Sequence, residues 1–163
     1  MENFNDQLNP EQAPHVAILS QYIKDFSFEN PSAPASLMKL SATPAVELSL
    51  DLNVSKVKDT DNTFEVSIQI EATAKTEQMK LFHIECVYAG IFALQNIPED
   101  QHEAVLAIHC PTMIFPFARR IISDITQESG FQPLRIDPID FARLYHKKKI
   151  EQENENNPDS AHS

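Results

Sequence analysis

Cys86 and Cys110 are the only thiols, and both stand among apolar neighbours without the CxxC spacing of redox or zinc sites. A nucleophilic thiol would need a histidine delivered by the fold, because such dyads are not sequence neighbours. Glu85 cannot serve Cys86, since adjacent strand residues point to opposite faces. The six histidines, at 15, 83, 102, 109, 146 and 162, form neither an HExxH motif nor an i, i+4 metal pair. Gly90 and Gly130 are the only glycines, too few for the glycine-rich loops that cradle phosphates. No metal or cofactor is expected, and the chain reads as a binding protein and not an enzyme.

The carboxylates carry more information. In the run from Asp25 to Glu29, the strand period puts Asp25, Ser27 and Glu29 on one face and Phe26 and Phe28 on the other. From residue 80, His83 and Glu85 share a face opposite Phe82, Ile84, Cys86 and Tyr88. If these two strands pair, Asp25, Glu29 and Glu85 gather on one outward surface. That surface either keeps the protein hydrated or docks a partner. With 13 Lys+Arg against 24 Asp+Glu the net charge is -11, which repels phosphate backbones and makes nucleic acid a poor partner.

The elements that must position these groups follow from periodicity. Val46, Leu48, Leu50, Leu52 and Val54 alternate with polar residues, and Phe64, Val66, Ile68 and Ile70 do the same, which predicts two strands. Asp59 to Asn62 supply a hairpin turn between them. Further strands are expected over residues 15–29 and from about 80 to 92. Pro31, Pro34 and Pro44 mark a long connection. After Pro98 the period changes: Phe117, Ile121 and Ile125, with Ile122 beside them, predict an amphipathic helix facing the sheet, capped by Gly130. Asp137 and Pro138 predict the start of a last helix that its lysines 147–149 close. The fold class is α+β, a Greek-key-like four-stranded antiparallel sheet with a Pro-rich crossover loop and two helices on one face.

The ends are polar and acidic. Residues 1–14 and 151–163 contain no Lys or Arg and are expected to be disordered tails around one domain, residues 15–150. The start lacks the features of a secretory signal, and the longest apolar stretch, Val87 to Leu94, is short for a membrane span. A cytoplasmic, unprocessed chain without direct membrane insertion is expected.

Three stretches carry a family resemblance: Tyr22 to Pro31 (Tyr-Ile-Lys-Asp-Phe-Ser-Phe-Glu-Asn-Pro), Gly90-Ile91-Phe92, and Cys110 to Arg119 (Cys-Pro-Thr-Met-Ile-Phe-Pro-Phe-Ala-Arg). Together they resemble the SecB family of bacterial protein-export chaperones, over about residues 15–150. The resemblance implies a homotetramer, a dimer of dimers with the longer helices between sheets. It also implies an ATP-independent holdase that keeps unfolded precursor polypeptides translocation-competent and delivers them to the export motor SecA. The family's acidic contact with the motor's zinc-binding tail maps onto Asp25, Glu29 and Glu85. His83 stands where many members have Leu, a departure that alters the apolar part of the contact and makes it pH-sensitive. Phe28, Leu40, Val46, Leu48 and Leu134 are nominated for the groove that would hold unfolded peptide. The alternatives from other classes are a small-molecule or lipid-binding α+β domain and a cysteine-dependent enzyme.

Overall fold

Strand alternation decides the architecture of residues 10–38 and 43–157, which the computed structural model describes. Strands β1 (His15–Glu29), β2 (Ala45–Lys56), β3 (Thr63–Lys75) and β4 (Lys80–Gln95) form one antiparallel sheet in the order β1-β4-β3-β2. The chain lays β1 on one edge, crosses to the far edge at β2, and returns by two hairpins to close β4 against β1. In the first hairpin Asp59 takes a positive φ of 61°, as expected of a turn Asp. Val66, Ile68, Ile70 and Ala72 of β3 and Ile84, Cys86 and Phe92 of β4 are buried on the inner face.

Helices α1 (Glu99–Ala104) and α2 (Cys110–Glu128) are joined by a π-helical turn, Val105–His109, into one 30-residue helix. The wide turn precedes Pro111, whose ring and missing N–H are incompatible with an ordinary helical turn behind it. Leu106, Cys110, Ile114, Ala118, Ile122 and Thr126 are buried, recurring every four residues. Of the predicted apolar residues, Ile122 lies in this buried stripe, while Phe117, Ile121 and Ile125 stand one position off it. Phe117 is 49% exposed, while Ile121 and Ile125 are only part-buried. Size explains the shift: the small Cys110, Ala118 and Thr126 let the helix approach the sheet, so they take the seam. Among the described residues this helix is long and apolar enough to cross a membrane by length and composition, contrary to the expectation drawn from Val87–Leu94. Polar and small residues interrupt its apolar run, so no contiguous stretch signals it; its inner stripe lies in the core.

Gly130 ends α2 with a positive φ of 89°, and Phe131 N–H reaches back to the Thr126 carbonyl at 3.1 Å, the glycine cap the sequence predicts. Beyond it, Thr126 Oγ1, buried, accepts from Leu134 N at 2.9 Å and donates to the helix carbonyls of Ile122 and Ser123. This one hydroxyl holds the irregular segment 131–139 against the helix. Helix α3 (Phe141–Asn156) is capped by Asp140, whose carboxylate accepts from Arg143 N at 3.0 Å, and not by Asp137.

Both predicted tail boundaries are too generous. Residues 151–156 continue α3, because Lys, Glu and Gln propagate a helix cheaply and no breaker precedes Pro158. The lysines at 147–149 consequently lie within the helix, with Lys149 over the Tyr145 ring at 5.3 Å. At the other end Pro10–Gln12 form a 3-10 turn, where Asn96 Nδ2 donates to the carbonyls of Glu11 and Ala13.

Gly90 of β4 sits where the helix comes closest. An added Cβ would lie 2.8 Å from Phe92 Cε2 and 3.2 Å from Ile114 Cγ2, both on buried side chains. Gly90→Ala is expected to destabilise the fold by about 1–3 kcal/mol through overpacking. Urea denaturation at fixed protein concentration reads this as a lowered midpoint with an unchanged m-value.

Candidate binding faces

The pairing of β1 with β4 brings the predicted acidic residues together. In register, Glu29 faces His83, Ser27 faces Glu85 and Asp25 faces Val87. On the other side of β4, Thr73 faces His83, Glu71 faces Glu85 and Gln69 faces Val87, and β2 adds Glu47, Ser49 and Asp51. Residues side by side in register point to the same face, so three rows cross all four strands on the side away from the helices. Sequence reasoning missed Glu71, Glu47 and Asp51 as members of this surface. Their alternation with apolar residues was visible, but the register that aligns them with Glu85 is not.

A bulge between Ile23 and Asp25 leaves Lys24 outside the ladder, so Tyr22 and Asp25 share the outer face although three positions apart. The Tyr22 hydroxyl donates to Glu65, and Lys24 Nζ donates to Glu65 at 2.5 Å. The Lys24 ammonium first, and the Tyr22 hydroxyl second, hold the Glu65 carboxyl below its ordinary range. Burial, followed by the Glu65 carboxylate, pushes Tyr22 up to about 12. Glu65 is thus neutralised in place, and Glu47 is paired with Lys75 at 2.8 Å. Among the described residues Asp25 and Glu29 have no ion-pair partner, and Glu85 has only His83, at 3.1 Å.

The apolar groove opens on the opposite face. A cavity of about 630 Å³ lies between Leu37 and Met38 of the crossover, Val46, Phe82, and Phe131 to Leu134 beyond α2. A second, of about 420 Å³, adjoins it and shares Val46 and Leu134, with Leu48, Ile136 and Ile139 completing its wall. Of the nominated groove residues, Val46, Leu48 and Leu134 line these cavities. Phe28 stands behind them, stacked on Phe82 with ring centroids 6.1 Å apart, and Phe82 in turn meets Phe131 at 5.1 Å. Leu40 lies outside the described residues. Phe131, Ile136 and Ile139 were not nominated for this wall; they belong to the segment that Thr126 pins, a contact without a local sequence signal. Val46 and Leu48 remain 47% and 45% exposed, so the groove presents an apolar surface to solvent.

Comparison with known proteins gives these faces a context. Residues 9–152 match SecB, described as preprotein translocase subunit SecB. The protein-export protein SecB of Rickettsia akari is 55% identical over 154 residues, covering 94% of this chain and 100% of that protein. Its counterpart in Rickettsia typhi is 56% identical over 144 residues, covering 88% and 94%. A SecB-like chaperone of Mycobacterium tuberculosis, solved in complex with a peptide from an antitoxin, shares the fold with a TM-score of 0.62. It is 16% identical, and the match covers 76% of this chain and 90% of that one. With a family match spanning most of its length and relatives more than half identical from end to end, the chain belongs to the SecB family of protein-export chaperones.

Proposed function

We propose that this protein-export chaperone holds unfolded precursor polypeptides along the apolar groove, in the cytoplasm, and presents its acidic face to the zinc-binding tail of the export motor SecA. The observation that carries the reading is the pair of adjoining cavities, open to solvent and walled by Val46, Leu48, Leu134 and Phe131. Beside them runs β2, an edge strand that pairs on one side only. Apolar pockets together with free main-chain donors and acceptors accept many extended sequences. Holding needs no ATP, because a protein that binds the unfolded chain preferentially draws the equilibrium away from the native state by mass action. The half-exposed Val46 and Leu48 favour an extended peptide over a lipid, which an enclosed pocket would bury.

The docking half rests on Asp25 and Glu29, which lack ion-pair partners among the described residues, and on Glu85 beside them. A cationic segment laid across β1 and β4 would find these carboxylates in register. Assembly as a dimer of dimers is supported by two partly uncovered surfaces: edge strand β1, where Ile18, Leu19 and Ile23 are exposed, and the flank of α2 at Phe117, half-exposed where its ring stacks on Tyr88. Exposed apolar edge strands are usually covered by another chain.

Three measurements test the reading. Reversal of Asp25 and Glu29 to Lys is expected to weaken tail binding at least ten-fold by calorimetry, at about 1 kcal/mol or more per pair, while refolding of a precursor remains retarded. Leu48→Asp with Val46→Asp should do the opposite, releasing the precursor and sparing the tail. Light scattering is expected to give about four times the 18.4 kDa chain mass, and a stable monomer would sink the assembly. The cysteine-dependent alternative has little support. Burial pushes Cys110 up to about 12, and burial with the nearby Asp25 charge pushes Cys86 up to about 11. Both raised thiols therefore stay protonated at pH 8, and the folded protein should resist iodoacetamide there, reacting promptly only after denaturation.

A further inference from the structure

His83 stands among the carboxylates of the acidic face and is held at both ring nitrogens. Nδ1 lies 2.7 Å from Thr73 Oγ1 on β3, and Nε2 lies 3.1 Å from Glu85 Oε1 on its own strand. Its side chain is 21% exposed, against 46% for Glu85. Glu29 of β1 faces it directly in the ladder, with Asp25 on the same face. On the β3 side Thr73 and Glu71 flank it, and beyond Thr73 stands Glu47 of β2, bound to Lys75. Lys80 opens β4 three residues away. The helices pack on the opposite face.

We propose that His83 is a proton-operated gate on this surface: neutral, it hydrogen-bonds Glu85 without offsetting the negative charge of the face, and protonated, it offsets that charge and weakens the docking of a cationic partner. The inference rests on the docking role given to the face above. A neutral imidazole offers one donor and one acceptor, so the Thr73 hydroxyl donates to Nδ1 while Nε2–H donates to Glu85. Protonation makes both nitrogens donors. The Thr73 hydroxyl then turns to accept, and Glu85 becomes the partner of an internal cation. The proton puts one positive charge among Glu29, Glu71 and Glu85, where a docking cation must sit. Coupling of this kind is reciprocal, so docking of a cation and protonation of the imidazole oppose each other by the same factor.

The sign follows directly. Imidazoles change charge between pH 5 and 8, so binding is strong at the upper end and weakens as pH falls. One unit charge added about 7 Å from the docked cation, at an effective dielectric of about 50, between that of a protein surface and that of bulk water, corresponds to roughly five-fold weaker affinity.

The test is calorimetric titration of the motor's isolated zinc-loaded tail into the full-length chaperone at pH 7.5 and 5.5. Wild type is expected to lose about five-fold on acidification beyond any loss in His83→Gln, which keeps a neutral hydrogen-bonding side chain. His83→Lys, a fixed cation, should bind weakly at both pH values. Any titration of the tail itself appears equally in the glutamine variant, which carries the decision alone should the lysine variant fail to fold. If His83→Gln loses as much as wild type, the gate is overturned while docking stands. If wild type does not bind at pH 7.5, the docking reading fails and the gate with it.

Discussion

The antiparallel pairing of β4 with neighbours on both sides is the constraint from which the rest follows. With β1 and β3 in register along nearly its whole length, β4 cannot slip. A slip of one residue would send Phe82, Ile84 and Cys86 to the solvent face and His83 and Glu85 into the core. Because each buried aliphatic or aromatic side chain contributes about 1.5–3 kcal/mol, that exchange is prohibited by the core alone. The same pairing that packs Ile84 and Phe92 under the helix therefore aims the acidic residues outward.

The two faces of one sheet thus differ in chemistry. The inner face is covered by α2 along the stripe from Leu106 to Thr126, but beyond Gly130 the chain leaves the helix and the cover becomes an irregular wall. There Val46, Leu48 and Leu134 stay partly uncovered. Apolar exposure of this sort costs stability, and the fold tolerates it because a single buried hydroxyl, Thr126, anchors the wall through Leu134 N. The outer face carries no comparable packing. Its cost is like-charge proximity, seen where Glu71 and Glu85 stand directly opposite each other. Gln69 donates to Glu71 at 3.2 Å and His83 approaches Glu85, which eases but does not remove that repulsion.

The two faces are also separated in space by the thickness of a sheet, so a client chain in the groove and a docked cationic segment need not collide. Coupling between them would have to pass through β4, whose inner Phe82 borders the groove and whose outer neighbour His83 sits among the carboxylates. Those adjacent residues are held by the same two ladders.

Residue types and local spacing determined the strands, the hairpins, the sharing of one face by Asp25, Ser27 and Glu29, the Gly130 cap and, through three motif stretches, the family. These properties depend on neighbours within a few residues, where the periods of 2 and 3.6 operate. Tertiary structure alone decided the alignment of Glu71 with Glu85, the bulge that brings Tyr22 to the face of Asp25, and the turn of α2 that puts Phe117 at the flank of the helix beside Tyr88. It also decided the wall built from Phe131, Ile136 and Ile139. Register and close packing join residues tens of positions apart, and which of several apolar stripes enters the seam depends on side-chain volume against a surface that the local pattern does not contain.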